Sequence, residues 1–541
     1  MTDIEIPLEK DRGFHYRVFE ILPGALSWFM LCLPFILSFI NASLAAIFIF
    51  IYLLINFTRA MAGATRSMQG YSTMREHQKL PWRQMLVELE AGEVESPHVK
   101  RPKWHYRTLL NTHVKPKVVE PSQVIHAVIV ATYKESKAIL EPTIESILAS
   151  DYNMKQVIFI LAYEGRAGAE TEDRATQLVS KYKSEFMDAM AIKHPADIPN
   201  EIIGKGGNVT FAGRQLQKYL EDRDIDPIRV VVTTLDADNR PDKNYLGALS
   251  YVYSACPDPI HASFQPVSLY NNNIWDAAAP MRVLATGNSL FHLVTSLRHH
   301  ALRNFSSHAQ PMAALIMTDF WSVRTIVEDG HQFWRSYFRF DGNYRVYPLH
   351  VPICQDAVLT DSYWKTLRAQ FVQLRRWTYG ASDVAYVVNQ GFFKKNKVPL
   401  GDLIGKSWRL LEGHVTWAVG PILVLGGGFI PAFFDNHSMV AIELPQLISR
   451  IQTVALIAII VTVFLSLRTL PPKPARYKRR RTLSMVMQWA YLPFTTIFYN
   501  SVAAFNSQTR LMFGRYLSKF DVTEKAVVVE TAEGKPNTLK A

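Results

Sequence analysis

With 541 residues, 48% of them hydrophobic, the chain is long enough for more than one domain; 59 Lys and Arg against 47 Asp and Glu give it a formal charge of +12. Its three cysteines, Cys32, Cys256 and Cys354, are too widely spaced for a disulfide framework or a zinc cluster to be read from them, and they suit a reducing cytoplasm. The positive excess gathers beside apolar runs and no nucleic-acid motif accompanies it, so membrane lipids are its expected partner and nucleic acid is not.

Residues 1–20 form a polar, cytoplasmic leader, and 21–40 follow without a charge, long enough to cross a bilayer core, which takes roughly 20 apolar residues. A second run, 42–57, comes at once. Arg17 precedes the pair and Arg59, Arg66 and Arg75 follow it, so residues 21–60 read as a hairpin with both outer ends in the cytoplasm. The long polar leader, the missing small-residue cleavage site and the second span speak against a signal peptide. Residues 61–123 are polar, mixed in charge and broken by prolines, which predicts a juxtamembrane linker running along the membrane and up to a domain.

From 124 the pattern changes. The β-rich runs 124–130, 156–161 and 229–234 alternate with helical spacing such as that over 138–148, which predicts a Rossmann-like α/β domain with a mainly parallel sheet, covering 124–395. Ligands of such sheets bind at the carboxyl ends of the strands. Thr132, Tyr133 and Glu135 follow the first run and offer a ring and a carboxylate for a base and a ribose, or simply cap a turn. Gly204-Lys205-Gly206-Gly207-Asn208 offers a cation and backbone N–H groups to a phosphate but lacks the spacing of a P-loop. Asp236 and Asp238, one residue apart at the end of the third run, can share a hard cation, although an Asx-rich turn before Pro241 uses the same residues. Asp329 is a carboxylate able to act as a general base, and Gln373, Arg376 and Trp377 fall on one helical face.

Beyond the domain, 396–414 reads as an interface helix and 415–470 as a second hairpin, with spans at 415–434 and 451–467. The cluster ending at Arg481 keeps its outer end cytoplasmic. Residues 471–510 hold that basic loop and a fifth apolar segment, 483–505, read as re-entrant or lying on the surface because Gln488, Pro493, Asn500 and the charge parity oppose a single crossing, with a fifth span as the alternative. Residues 511–541 form a cytoplasmic tail.

Taken in this order between two hairpins, these motifs resemble the family 2 inverting glycosyltransferases of the GT-A fold, above all the membrane-integrated branch of cellulose, chitin and hyaluronan synthases. The resemblance runs from 124 to the second hairpin. It implies a multi-pass enzyme of the plasma membrane of a bacterium, with its GT-A domain in the cytoplasm, transferring sugar from a nucleotide-sugar, usually a uridine diphosphate sugar, to a glycan or lipid-linked acceptor. Thr132, Tyr133, Glu135, Lys205 and Asn208 would hold the nucleotide, with Glu164 where the family usually has an Asp-Asp-Gly. Asp236 and Asp238 would bind nucleotide and Mg2+ or Mn2+, Asp329 would be the base, and Gln373, Arg376 and Trp377 would contact diphosphate and acceptor. Polymer synthesis would add an export partner. A catalytically silent membrane scaffold that binds the same ligands is the competing expectation. Where the family carries a glycine-bearing acceptor loop this chain has residues 306–312, and the aromatic Phe333, Trp334, Tyr337 and Phe338 after Asp329 are expected to pack the domain.

Overall fold

The computed structural model describes residues 3–94, 98, 100–435, 437–518, 525–530 and 536–540. Its centre is an eight-stranded sheet: β1 (Ile125–Thr132), β2 (Val157–Glu164), β3 (Asp188–His194), β4 (Val230–Asp236), β5 (Arg240–Pro241), β6 (Ala262–Tyr270), β7 (His308–Pro311) and β8 (Arg345–Gln355), in the order β3-β2-β1-β4-β7-β6-β8-β5. The expectation of a mainly parallel sheet holds for β3 through β4; beyond them β7 runs antiparallel to β4 and β6, and β5 antiparallel to β8, so the sheet is mixed.

Alternation along the central strands sends Val128, Val130, Phe159, Leu161 and Val231 into one apolar layer, and Ile125, Ala127, Ile129, Ile158, Ile160 and Val232 into the other. Both faces are covered, which is why these strands read as unbroken apolar runs. The first layer is closed by a segment expected to be a linker. Trp82, Met85, Leu86 and Leu89 share one face of the helix Trp82–Ala91 and are buried against the domain. The buried Glu88 carboxylate binds Arg101 at 2.7 Å and His105 at 2.9 Å, tying that helix to the next, Lys103–Val114. Most of residues 78–123 therefore belongs to the domain.

Among the described residues four helices are long and apolar enough to cross a membrane: Phe14–Ile40, Ala42–His77, the stretch Leu400–Phe434 and Met439–Arg468. Asn41 alone separates the first two and caps the second through Ser43 and Leu44 N–H. Ser43 reaches Ser438, the cap of Met439–Arg468, at 3.1 Å, so the turns of both hairpins lie at one end of the bundle. The expected interface helix is not separate, because Leu400–Gly426 runs without a break into the third apolar stretch. The fifth apolar segment is a helix interrupted by 3-10 and π turns around Pro493 and is not among the four; its last part, Val502–Met512, packs on the first span through Ser27–Gln508 at 2.6 Å and Trp28–Thr509 at 2.9 Å.

The helix Ala42–His77 continues past its apolar part into the domain. A Cβ on Gly70 would collide with the Leu293 carbonyl, so glycine allows the close approach of the helix Ala279–Ser296. At its end Gln78 donates to Asp242 at 2.7 Å and accepts from Asn244 at 2.8 Å, on the segment that follows β4.

The aromatic residues after Asp329 pack as expected: Phe333, Trp334, Tyr337 and Phe338 are buried in one cluster with Tyr386 and Leu403. Part of the basic loop is held by the protein itself, since Arg476 pairs with Asp276 at 2.7 Å and Arg481 donates to the carbonyls of Trp275 and Ala277.

Candidate active site

Parallel pairing of β1 with β2 and β4 aligns Ala131 with Asp236 and Thr132 with Tyr163, so Thr132, Glu164 and Asp236 emerge at one edge of the sheet. Glu135 turns back on its own loop, its Oε2 accepting from Thr132 Oγ1 and from the Tyr133 N–H, each at 2.8 Å. The Tyr133 ring faces the Arg166 guanidinium at 5.2 Å. Glu164 is buried and contacts Arg166 at 3.1 Å and His194 at 3.2 Å. Burial alone would neutralise His194, but Glu164 and Glu201 outweigh it and push its pKa up to about 9.

Lys205 opens the helix Lys205–Glu221, which makes the glycine-rich stretch a helix start. Its Nζ reaches Asp236 Oδ1 at 2.6 Å. Asn208, one turn on, is buried and donates to the Ala162 carbonyl at 3.0 Å, so its amide braces the helix against β2.

Asp238 lies just beyond β4. The chain then folds back so that Arg240 pairs with Cys354 of β8, and this brings Asp238 to Asp356, whose N–H donates to Asp238 Oδ2 at 3.2 Å. The other oxygen of Asp238 meets Lys525 Nζ at 2.9 Å. Burial and the Asp238 charge push the Asp356 carboxyl upward, and its Oδ1 is buried without a hydrogen-bond partner. Asp236 is held below the usual carboxylate range: burial opposes ionisation, but Lys205, Lys525 and Arg376 prevail.

Asp329 stands in the first turn of the helix Glu328–Arg339, where its oxygens accept from Ser306 N–H at 2.5 Å and Gly330 N–H at 2.7 Å. Ser306, at a left-handed φ of 46°, is the joint between the carboxylates, with Oγ 3.5 Å from Asp236 Oδ2. Burial pushes both carboxyls of this turn up, Glu328 to about 7 with help from the charge of Asp329; Lys205 only partly opposes the shift at each.

Gln373, Arg376 and Trp377 ride on the helix Tyr363–Thr378. Gln373 accepts from Gln370 at 3.1 Å, and the charge of Arg376 acts on Asp236 and Glu328. The Trp377 ring lies 6.0 Å from Tyr270, a buried phenol pushed up first by burial and then by Asp236, Asp329 and Asp238. Asp236, Asp238, Lys205, Asp329, Arg376 and Trp377 thus converge, whereas Thr132, Tyr133, Glu135 and Glu164 line the adjoining edge and Asn208 turns to the sheet.

The sequence did not single out Asp356, Tyr270 or Lys525. Asp356 follows a strand end, the usual place for ligand-facing residues, but Pro348 and Pro352 disguise β8. Lys525 carries no local signal. Among the described residues no cluster of three or more His, Cys, Asp or Glu is preformed for a metal. The carboxylates of Asp236 and Asp238, the second of which accepts from the Asp356 N–H, nevertheless suit a hard divalent cation that takes its remaining ligands from a diphosphate.

No family model matches the chain, and no curated protein does. Among solved structures it is similar to a mannosyltransferase, PcManGT from Pyrobaculum calidifontis in complex with GDP-Man and Mn2+, at 12% identity and a TM-score of 0.41, over 84% of this chain and 100% of that one. It is also similar to TarS 1-349 of S. aureus in complex with UDP-GlcNAc, at 12% identity and a TM-score of 0.36, over 77% and 97%. Likenesses this loose are of outline only and bear on neither substrate nor mechanism.

Proposed function

We propose that the chain is a membrane-embedded inverting glycosyltransferase of the GT-A, family 2 type, whose domain faces the cytoplasm and moves sugar from a nucleotide-sugar to a hydroxyl of a glycan or lipid-linked acceptor. The observation that carries the reading is the meeting of Asp236, Asp238 and Lys205 with Asp329 across Ser306, under the charge of Arg376. Asp236 and Asp238 would hold Mg2+ or Mn2+, which supplies counter-charge to a leaving diphosphate. Thr132, Tyr133 and Glu164 border the space for the nucleoside, and Gln373 and Trp377 that for diphosphate and acceptor.

Asp329 takes the acceptor proton while the acceptor oxygen bonds to the anomeric carbon and the bond from that carbon to the diphosphate oxygen breaks, leaving its electron pair on the diphosphate. The Ser306 and Gly330 N–H groups hold the base in place, and Lys205 and Arg376 face the developing negative charge. The test is nucleoside diphosphate release by purified protein from a panel of nucleotide-sugars with Mg2+ or Mn2+. We expect Asp329→Asn to lower turnover about 100-fold or more while donor binding persists. Full activity in that variant, or donor binding without turnover by the wild type, would sink the reading, the second outcome favouring a silent scaffold.

A further inference from the structure

Asp238 is expected to bind the metal, yet both of its oxygens are already engaged, Oδ2 by the Asp356 N–H and Oδ1 by the ammonium of Lys525. Lys525 comes from outside the sheet domain, immediately before the paired strands Ala526–Glu530 and Pro536–Lys540. Its side chain is 18% exposed against 10% for Asp238, so the pair is largely shielded from water. It faces Asp238, Glu135, Asp356 and Asp236, which span the distance from the expected nucleoside edge to the expected metal ligands.

Lys205 does not serve the same end. It belongs to the domain, opens a helix and pairs with Asp236, so it stays beside the site whatever binds. Among the described residues Lys525 is the cation paired directly with Asp238, beside the Asp356 carboxyl, and a metal would offset the same gathering of negative charge. A dication about 2.1 Å from Asp238 Oδ1 would stand no more than about 5 Å from the Lys525 ammonium, which is 2.9 Å from the same oxygen, and two cations that close in a shielded site repel strongly.

Building on the proposed donor site, we propose that Lys525 is its resident cation: its ammonium takes the place of the metal at Asp238 and must be displaced for a divalent ion and a nucleoside diphosphate to bind. The full-length chain then binds metal and nucleotide together more readily than metal alone, because a diphosphate adds ligands that help expel the ammonium.

The experiment is Mn2+ binding followed by electron paramagnetic resonance on the full-length protein in lipid discs, first with Mn2+ alone and then with UDP or GDP. Lys525→Met should lower the Kd for Mn2+ alone about 10-fold and shrink the gain from nucleotide, whereas Lys525→Arg, which keeps the charge, should stay near the wild type. Unchanged or weaker Mn2+ binding in Lys525→Met overturns the proposal, and the weaker result would assign Lys525 to holding the donor. Asp238→Asn separates the two levels. If it still binds Mn2+, the metal site itself is wrong and the role of Lys525 falls with it. If it loses Mn2+ while Lys525→Met matches the wild type, only the role of Lys525 falls.

Discussion

At Asp329 two backbone N–H groups hold a carboxylate beside Glu328, a second buried carboxyl, and this sets how the site responds to pH. A base must be ionised to accept a proton. Burial raises both groups, Glu328 to about 7 with the charge of Asp329 adding to the shift, so Glu328 takes up its proton as pH falls toward neutrality and the base loses its charge as pH falls further. Turnover should fall on the acid side as the raised Asp329 carboxyl takes up its proton, and Glu328→Gln, which removes a neighbouring charge, should move that limb to lower pH. A pH–rate profile of both proteins decides, and an unmoved limb would show that the two carboxyls do not interact. For stability the sign is opposite: a carboxyl raised in the folded state favours folding most at low pH and loses that contribution as pH rises through its folded value. How well the sequence disclosed each residue follows from where its partners lie. Asp236 and Asp238 follow a strand that its apolar run reveals, whereas Asp329 carries no periodic signal and stands out through the resemblance. Ser306 and Lys525 matter through partners far along the chain, and only folding brings those together.

Among the elements, the helix Trp82–Ala91 was hidden by its surroundings. Charged neighbours and flanking prolines made 61–123 look like a linker, although Trp82, Met85, Leu86 and Leu89 have the spacing of one buried face. Leu89 is fully buried in the layer that covers the strands bearing the site. Leu89→Ala should therefore destabilise the domain by roughly 2–5 kcal/mol, read by denaturant unfolding; a change within a few tenths of a kcal/mol would mean that the helix is only laid against it. Central strands β1, β2 and β4 were plain in the sequence because both of their faces are covered. The edge of the sheet was not: β5 is two residues long, and β8 carries two prolines and a bulge beside β6. The mixed character of the sheet arises there, so it escaped a reading built on apolar runs.

For the whole molecule, the hairpins were legible because a bilayer core demands length and low charge, both visible in one dimension. What joins them to the domain was not, since a helix that leaves the apolar zone and keeps going looks like a span followed by a linker. Ala42–His77 does so: 36 residues in one piece, about 54 Å at roughly 1.5 Å per residue, wedged against Leu293 at Gly70 and bonded at Gln78 to Asp242 and Asn244. The helix is a lever whose short arm ends four residues from Asp238. An apolar stretch too long for its bilayer tilts, and a lever with no joint carries that tilt to its tip. Turnover in discs of short-chain and long-chain lipid should then differ while donor-independent unfolding of the domain does not, and Gly70→Ala, which forces the helices apart, should lower turnover and blunt the difference. Equal turnover across thicknesses would mean that the joint at Gln78 gives. On this geometry the thickness of the membrane becomes an input to the chemistry, transmitted by a single unbroken helix.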